Sequence, residues 1–176
     1  MDWKELLSGP PLRWIQPRMM KMNYQLLRGD EVITTLNFKS PWGTLATIEN
    51  ADGCWTFKRV GFFQTRATIR PCGSEAEIAT FRNDTWKGGG TLEFQNGREI
   101  LATTNVWQTQ LEFREPSGET LMGLKYENLW CTSATVGIEP SALSAPEMSW
   151  MVPFGWYLMV MMQTDGAVVS AAVTPA

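Results

Sequence analysis

Histidine is missing from the chain altogether. That removes the side chain most used as a general base and metal ligand near neutral pH. A Ser-His-Asp or Cys-His nucleophilic system therefore cannot be assembled as such. Cysteine is scarce: Cys54, Cys72 and Cys131 are an odd number at unrelated spacings, with no CxxC pair. Neither a zinc site nor a disulfide framework is suggested, and three reduced thiols are expected. Charge is modest, at 19% of residues with a net value of −3 and a pI near 5.1. This balance runs against nucleic acid as the main partner, because phosphate binding draws on a basic excess. Lys87-Gly88-Gly89-Gly90 fails the P-loop spacing and reads as a flexible hairpin tip, and no EF-hand spacing occurs. The carboxylate pairs Glu75/Glu77 and Glu112/Glu115 sit beside turns and read as solvated faces. No cofactor, metal or catalytic residue is called for, and a non-enzymatic protein is expected. The first residues lack the basic and apolar regions of a signal peptide, so a cytoplasmic protein is expected, with a peripheral position at a membrane left open.

What is present is a single-domain complement of apolar residues. The chain has 176 residues, 44% of them hydrophobic, with nine tryptophans and eight phenylalanines. Rings in that number suit sheet surfaces and sheet-facing cores. Residues 1–21 hold Gly9-Pro10-Pro11 and Pro17, which forbid a long helix. They read as a lead-in with a short helical turn at Trp3–Leu7 and an extended piece at Leu12–Ile15. Residues 22–176 read as one domain. Within it, short segments rich in Thr, Val, Ile, Phe and Trp alternate with turns such as Arg28-Gly29-Asp30, Asn96-Gly97 and Pro116-Ser117-Gly118. Leu92 and Phe94 oppose Glu93 and Gln95, and Leu111 and Phe113 oppose Glu112 and Arg114. A half-buried antiparallel strand has this period of two. Ten to twelve such strands fit between Tyr24 and Glu139, and regular turns favour a sandwich or barrel over βαβ units.

One stretch resists a strand reading. Residues 148–162, MSWMVPFGWYLMVMM, are uncharged and favour helix, with Ser144 or Ser149 as candidate caps. Pro153 is tolerable near a first turn, Gly155 weakens the helix, and Gly166 offers a C-terminal stop, giving a helix over about 148–163. The run is shorter than the roughly twenty residues of a membrane span, and its nearest charges, Glu147 and Asp165, are both acidic. A helix apolar on every side must be surrounded on every side. A closed antiparallel barrel of about twelve strands supplies that surrounding. The predicted fold is therefore mainly β: a closed barrel with its apolar C-terminal helix buried along the axis. A tail anchor is the alternative.

The order of lead-in, meander and terminal PFGWYLMVMM phrase resembles the tubby C-terminal-like superfamily, which includes tubby, LURP-one-related and phospholipid scramblase-related proteins. Segments such as Gly53-Cys54-Trp55-Thr56-Phe57-Lys58 and Gly118-Glu119-Thr120-Leu121-Met122-Gly123 carry the likeness, which covers about residues 22–166. The resemblance implies a hydrophobic helix threaded through a barrel. It also implies phosphoinositide binding by basic surface side chains, or a part in lipid handling.

Residues 53–74 contain no acid, yet carry Lys58, Arg59, Arg66 and Arg70. Strand alternation puts Arg66 and Arg70 on one face, with Lys58 outward on a neighbouring strand and Arg59 ambiguous. Lys58, Arg66 and Arg70 are thus the candidate site for an anionic headgroup, since the arginine fork grips phosphate oxygens. The alternative is ordinary strand charge that discourages edge pairing. The expected function is a non-enzymatic binding module for anionic phospholipid headgroups or a protein partner. A C-terminally anchored, scramblase-like protein acting in lipid movement is the alternative, and oligomeric state stays open.

Overall fold

In the computed structural model, residues 2–18, 21–41, 43–60, 66–84, 89–128 and 132–172 are described, with side chains to residue 165. The alternating segments form twelve strands. They are β1 (Leu12–Ile15), β2 (Asn23–Arg28), β3 (Glu31–Phe38), β4 (Ala46–Asn50), β5 (Gly53–Val60) and β6 (Arg66–Pro71), followed by six more. Those are β7 (Ala79–Asn83), β8 (Gly89–Phe94), β9 (Glu99–Thr104), β10 (Gln110–Arg114), β11 (Thr120–Tyr126) and β12 (Ser133–Ile138). Helix α1 (Trp3–Leu7) precedes them, and a 3₁₀ turn at Pro140–Ala142 leads into helix α2 (Met148–Ala172). Each strand pairs antiparallel with its sequence neighbour, and β1 pairs with β12 to close the barrel. No open edge remains between staves.

The lead-in is not separate from the barrel. Leu12–Ile15 is the closing stave, with Trp14 opposite Ala134 on one side and Leu26 on the other. The barrel therefore begins ahead of Met22, where the sequence placed its start. The prolines that suggested a lead-in flank the four strand residues and interrupt none of them.

Inward positions alternate large and small. Ala46 stands opposite Phe57, Ala67 opposite Phe81, and Ala102 opposite Phe113, all of them buried. Each alanine leaves room beside a ring, and α2 fills the space between the facing walls. Residues 147–161 are buried without interruption, so the helix needs no polar stripe. Trp156 stacks parallel to Trp14, while Phe154 meets Phe57 and Phe81 edge-on. The outward faces carry Arg13, Thr56, Lys58, Glu93 and Lys125, the reverse of a lipid-facing strand, which needs an apolar band. Among the described residues no helix is long and apolar enough to cross a membrane.

Four local readings change. Helix α2 does not stop at Gly166 but runs to Ala172; one glycine costs a helix only about 1 kcal/mol and does not by itself end it. Ser149 does not cap α2; its hydroxyl donates back to the Pro146 carbonyl. Gly89 and Gly90 are strand residues rather than a loose tip. A Cβ on them would come within 2.1 Å of the Ala102 and Arg82 carbonyl oxygens, so only glycine fits that close approach. The rest of that tip, Lys87 and Gly88, lies outside the described residues. Finally, Cys54 and Cys72 are joined in a disulfide. Pairing of Trp55 with Pro71 sets the two cysteines opposite each other, 5.3 Å apart at Cα. The expectation of three reduced thiols fails because it weighed spacing without strand register; Cys131 lies outside the described residues.

Candidate functional site: one rim of the barrel

Antiparallel order sorts the connections to two rims. Those after β1, β3, β5, β7, β9 and β11 turn at the rim where α2 emerges, called upper here. Those after the even-numbered strands turn at the lower rim, where α2 begins. Charge is divided between the two. At or near the upper rim stand Arg18, Lys21, Lys39, Lys58, Arg66 and Lys125, all exposed. The acids there, among the described residues, are Asp84, Glu127 and Asp165. Glu127 is paired with Arg13 at 2.7 Å and Asp165 with Arg59 at 2.7 Å. The lower rim carries Asp30, Glu49, Asp52, Glu99, Glu119 and Glu139, also exposed, while the arginines on that side, Arg28, Arg70, Arg98 and Arg114, are each paired with a carboxylate. A chain of net charge −3 thus holds a basic end and an acidic end. Charge clustered in this way gives each end a local potential that the net charge alone does not describe.

The three residues proposed from sequence all face outward, but they do not act as one patch. Register sets Lys58 against Thr68, between Arg66 and Arg70 on the adjoining strand. Four residues of strand separate Arg66 from Arg70, about 13 Å. Arg70 lies toward the lower rim, where it donates to Glu75 at 2.9 Å and to Glu77 at 2.8 Å. The bond to Glu77 raises the pKa of the Arg70 guanidinium, and the same bond holds the Glu77 carboxyl below its ordinary range. Arg70 is therefore committed to its own strand neighbours. The stretch without acid looked basic because the balancing carboxylates come just after it in sequence.

Lys58 and Arg66 form no salt bridge with another described residue, although the Arg66 charge is felt by Glu77 and helps hold its carboxyl down. Arg66 also stands directly opposite Arg82 on β7. Like charges in that position repel, and a bound anion would relieve them. Arg82 is tied in turn to Glu93 at 2.8 Å. Arg59, ambiguous in sequence, faces inward beside Phe57 and holds Asp165 through both carboxylate oxygens. That pair closes the barrel mouth over Tyr157, whose hydroxyl donates to the Thr44 carbonyl at 2.8 Å. Burial pushes the Tyr157 phenol well above its ordinary range. The carboxylates read as solvated faces are ion-paired: Glu112 with Arg114, and Glu115 with Arg98.

Two features escaped the sequence reading. One is a hollow at the lower rim walled by Trp3, Trp55, Phe94 and Trp150, which lie far apart in the chain. The other is the link 105–109 between β9 and β10 at the upper rim, where Val106 and Trp107 are 93% and 83% exposed. Its signal was visible: two large apolar residues stand where polar turn residues belong. Among the described residues no three His, Cys, Asp or Glu side chains are grouped to hold a metal ion. No family model, curated protein or solved structure matches the chain.

Proposed function

We propose that this chain is a non-catalytic binding module for anionic phospholipid headgroups, which it meets with its upper rim. The observation that carries the reading is the division of charge along the barrel axis, with Arg18, Lys21, Lys39, Lys58, Arg66 and Lys125 exposed at one end. Each basic side chain near an anionic leaflet contributes about 1 kcal/mol, so a ring of them suffices for reversible attachment. A flat anionic surface suits charges spread around a rim better than a compact protein partner does. Lys58 and Arg66 belong to this site; Arg70, held by Glu75 and Glu77, serves the barrel wall instead. The anchored alternative has little support, since inserting residues 148–162 in a bilayer would empty the barrel of its core. The Cys54–Cys72 disulfide favours an oxidising compartment over the cytoplasm.

Vesicle flotation tests the reading. The full chain is expected to float with phosphatidylserine-containing vesicles, to ignore pure phosphatidylcholine, and to be released by salt. Lys58→Glu combined with Arg66→Glu should weaken binding about tenfold or more. Wild-type protein that never floats with anionic vesicles would falsify it.

A further inference from the structure

Resting on the anionic-surface reading above, we propose that the tip of the β9–β10 hairpin, Val106 and Trp107, enters the interface of an anionic bilayer while the rim cations hold its headgroups. The tip is built to hold these side chains out. Asn105 Oδ1 accepts from the backbone N–H groups of Thr109 at 2.8 Å and Gln110 at 3.2 Å. Its Nδ2 donates to the Thr109 hydroxyl at 2.8 Å, and the Gln108 N–H donates to the Asn105 carbonyl at 2.9 Å. Gln108 takes a left-handed φ of 53°, a conformation that glycine or asparagine adopts more easily. A loop without such bonds would have to order its backbone and these two side chains as it docks. This one keeps them in water, already placed for docking, so little ordering is left to do on contact.

The position of the tip selects the occupant. It lies on the basic rim, and Lys125 is the register partner of Gln110 at the start of β10. The Tyr126 N–H also donates to the Thr109 carbonyl, fixing the hairpin to the strand that carries Lys125. An apolar pair with a cation at its base matches the bilayer interface, where tryptophan settles at headgroup depth and lysine meets phosphate. The other large apolar residues exposed among those described, Val32 and Leu101, are 48% and 37% exposed and stand alone on strand faces. With the tip inserted and the cations level with the phosphates, the barrel stands end-on and its acidic rim points away from the membrane.

The test is flotation of the full chain with phosphatidylcholine vesicles containing phosphatidylserine, comparing wild type with Val106→Ser combined with Trp107→Ser. Both side chains are solvated, so the variant is expected to melt with the wild type. Its binding should fall about tenfold or more, in keeping with two lost apolar insertions, while what remains stays salt-sensitive. In addition, the emission of wild type should shift to the blue on anionic vesicles by more than that of Trp107→Phe. If wild type floats and the serine variant floats equally well, the tip does not insert, and the charge reading survives alone. If wild type does not float with anionic vesicles, both fall together. If wild type is dimeric in solution and the serine variant monomeric, the tip joins two copies of the chain and the membrane assignment is overturned.

Discussion

Pro153 sits inside α2, where a proline removes one backbone donor and leaves the carbonyl four residues earlier without its helical partner. That carbonyl belongs to Ser149, and the side chain of Asn50 donates to it at 2.8 Å. A residue from the end of β4 thus mends the defect that the proline creates on the barrel axis. Because Ser149 is buried and its bond to Asn50 half-buried, losing the amide leaves a poorly paired carbonyl. Asn50→Ala should therefore lower unfolding stability by about 1–3 kcal/mol, read as a lower urea midpoint. Asn50→Ala combined with Pro153→Ala restores a helical donor for Ser149 and should recover much of the loss. Equal losses in the single and double variants would show that Asn50 acts otherwise. At this scale the sequence was legible in part. Pro153 is conspicuous, whereas its partner stands about a hundred residues away and becomes visible only when strand and helix meet.

Elements are held to one another by long-range polar ties, and one at the lower rim joins three of them. Arg98, after the β8–β9 turn, donates to both Glu147 and Glu115 and lies over the Phe94 ring at 5.4 Å. Glu147 immediately precedes α2, and its side chain is only 9% exposed. The tie thus locks the start of the axial helix to the barrel wall. Hydrogen bonding to Glu115, then to Glu147, keeps Arg98 firmly protonated. Arg98→Ala should destabilise by up to about 3 kcal/mol, the low end for a broken buried pair because Arg98 itself is partly solvated. Adding Glu147→Gln removes the stranded charge and should return part of that loss in a urea double-mutant cycle. Additive losses would mean the two groups are not coupled. The strands themselves were readable because an apolar–polar period of two survives in isolation, as in Gln110–Arg114. Register was not. Cys54 and Cys72 are equidistant from the middle of their hairpin, but only the pairing of Trp55 with Pro71 makes that symmetry a contact.

For the whole molecule, the axial helix decides both stability and where function can reside. The sequence named it because residues 148–162 have no polar side, and only a closed wall can accept such a helix. The division of charge between rims could not be read in the same way. The links after β1 and β3 carry Arg18, Lys21 and Lys39, those after β2 and β4 carry Asp30 and Asp52, and only the up-and-down path of the strands sends the two sets to opposite ends. The same path makes the helix indispensable. Trp150, Met151, Phe154, Trp156, Tyr157 and Leu158 are all buried against the staves. At about 1.5–3 kcal/mol each, their loss removes on the order of 10 kcal/mol or more, comparable to the whole stability of a domain this size. A chain ending before Trp150 should therefore be insoluble or molten, with strand-like far-UV circular dichroism, weak near-UV signal and strong dye binding. An anchor would behave in the opposite way, its removal releasing a soluble barrel that melts cooperatively. Such a product would mean that the wall stands without its axis, and that the hydrophobic run is free to work outside it.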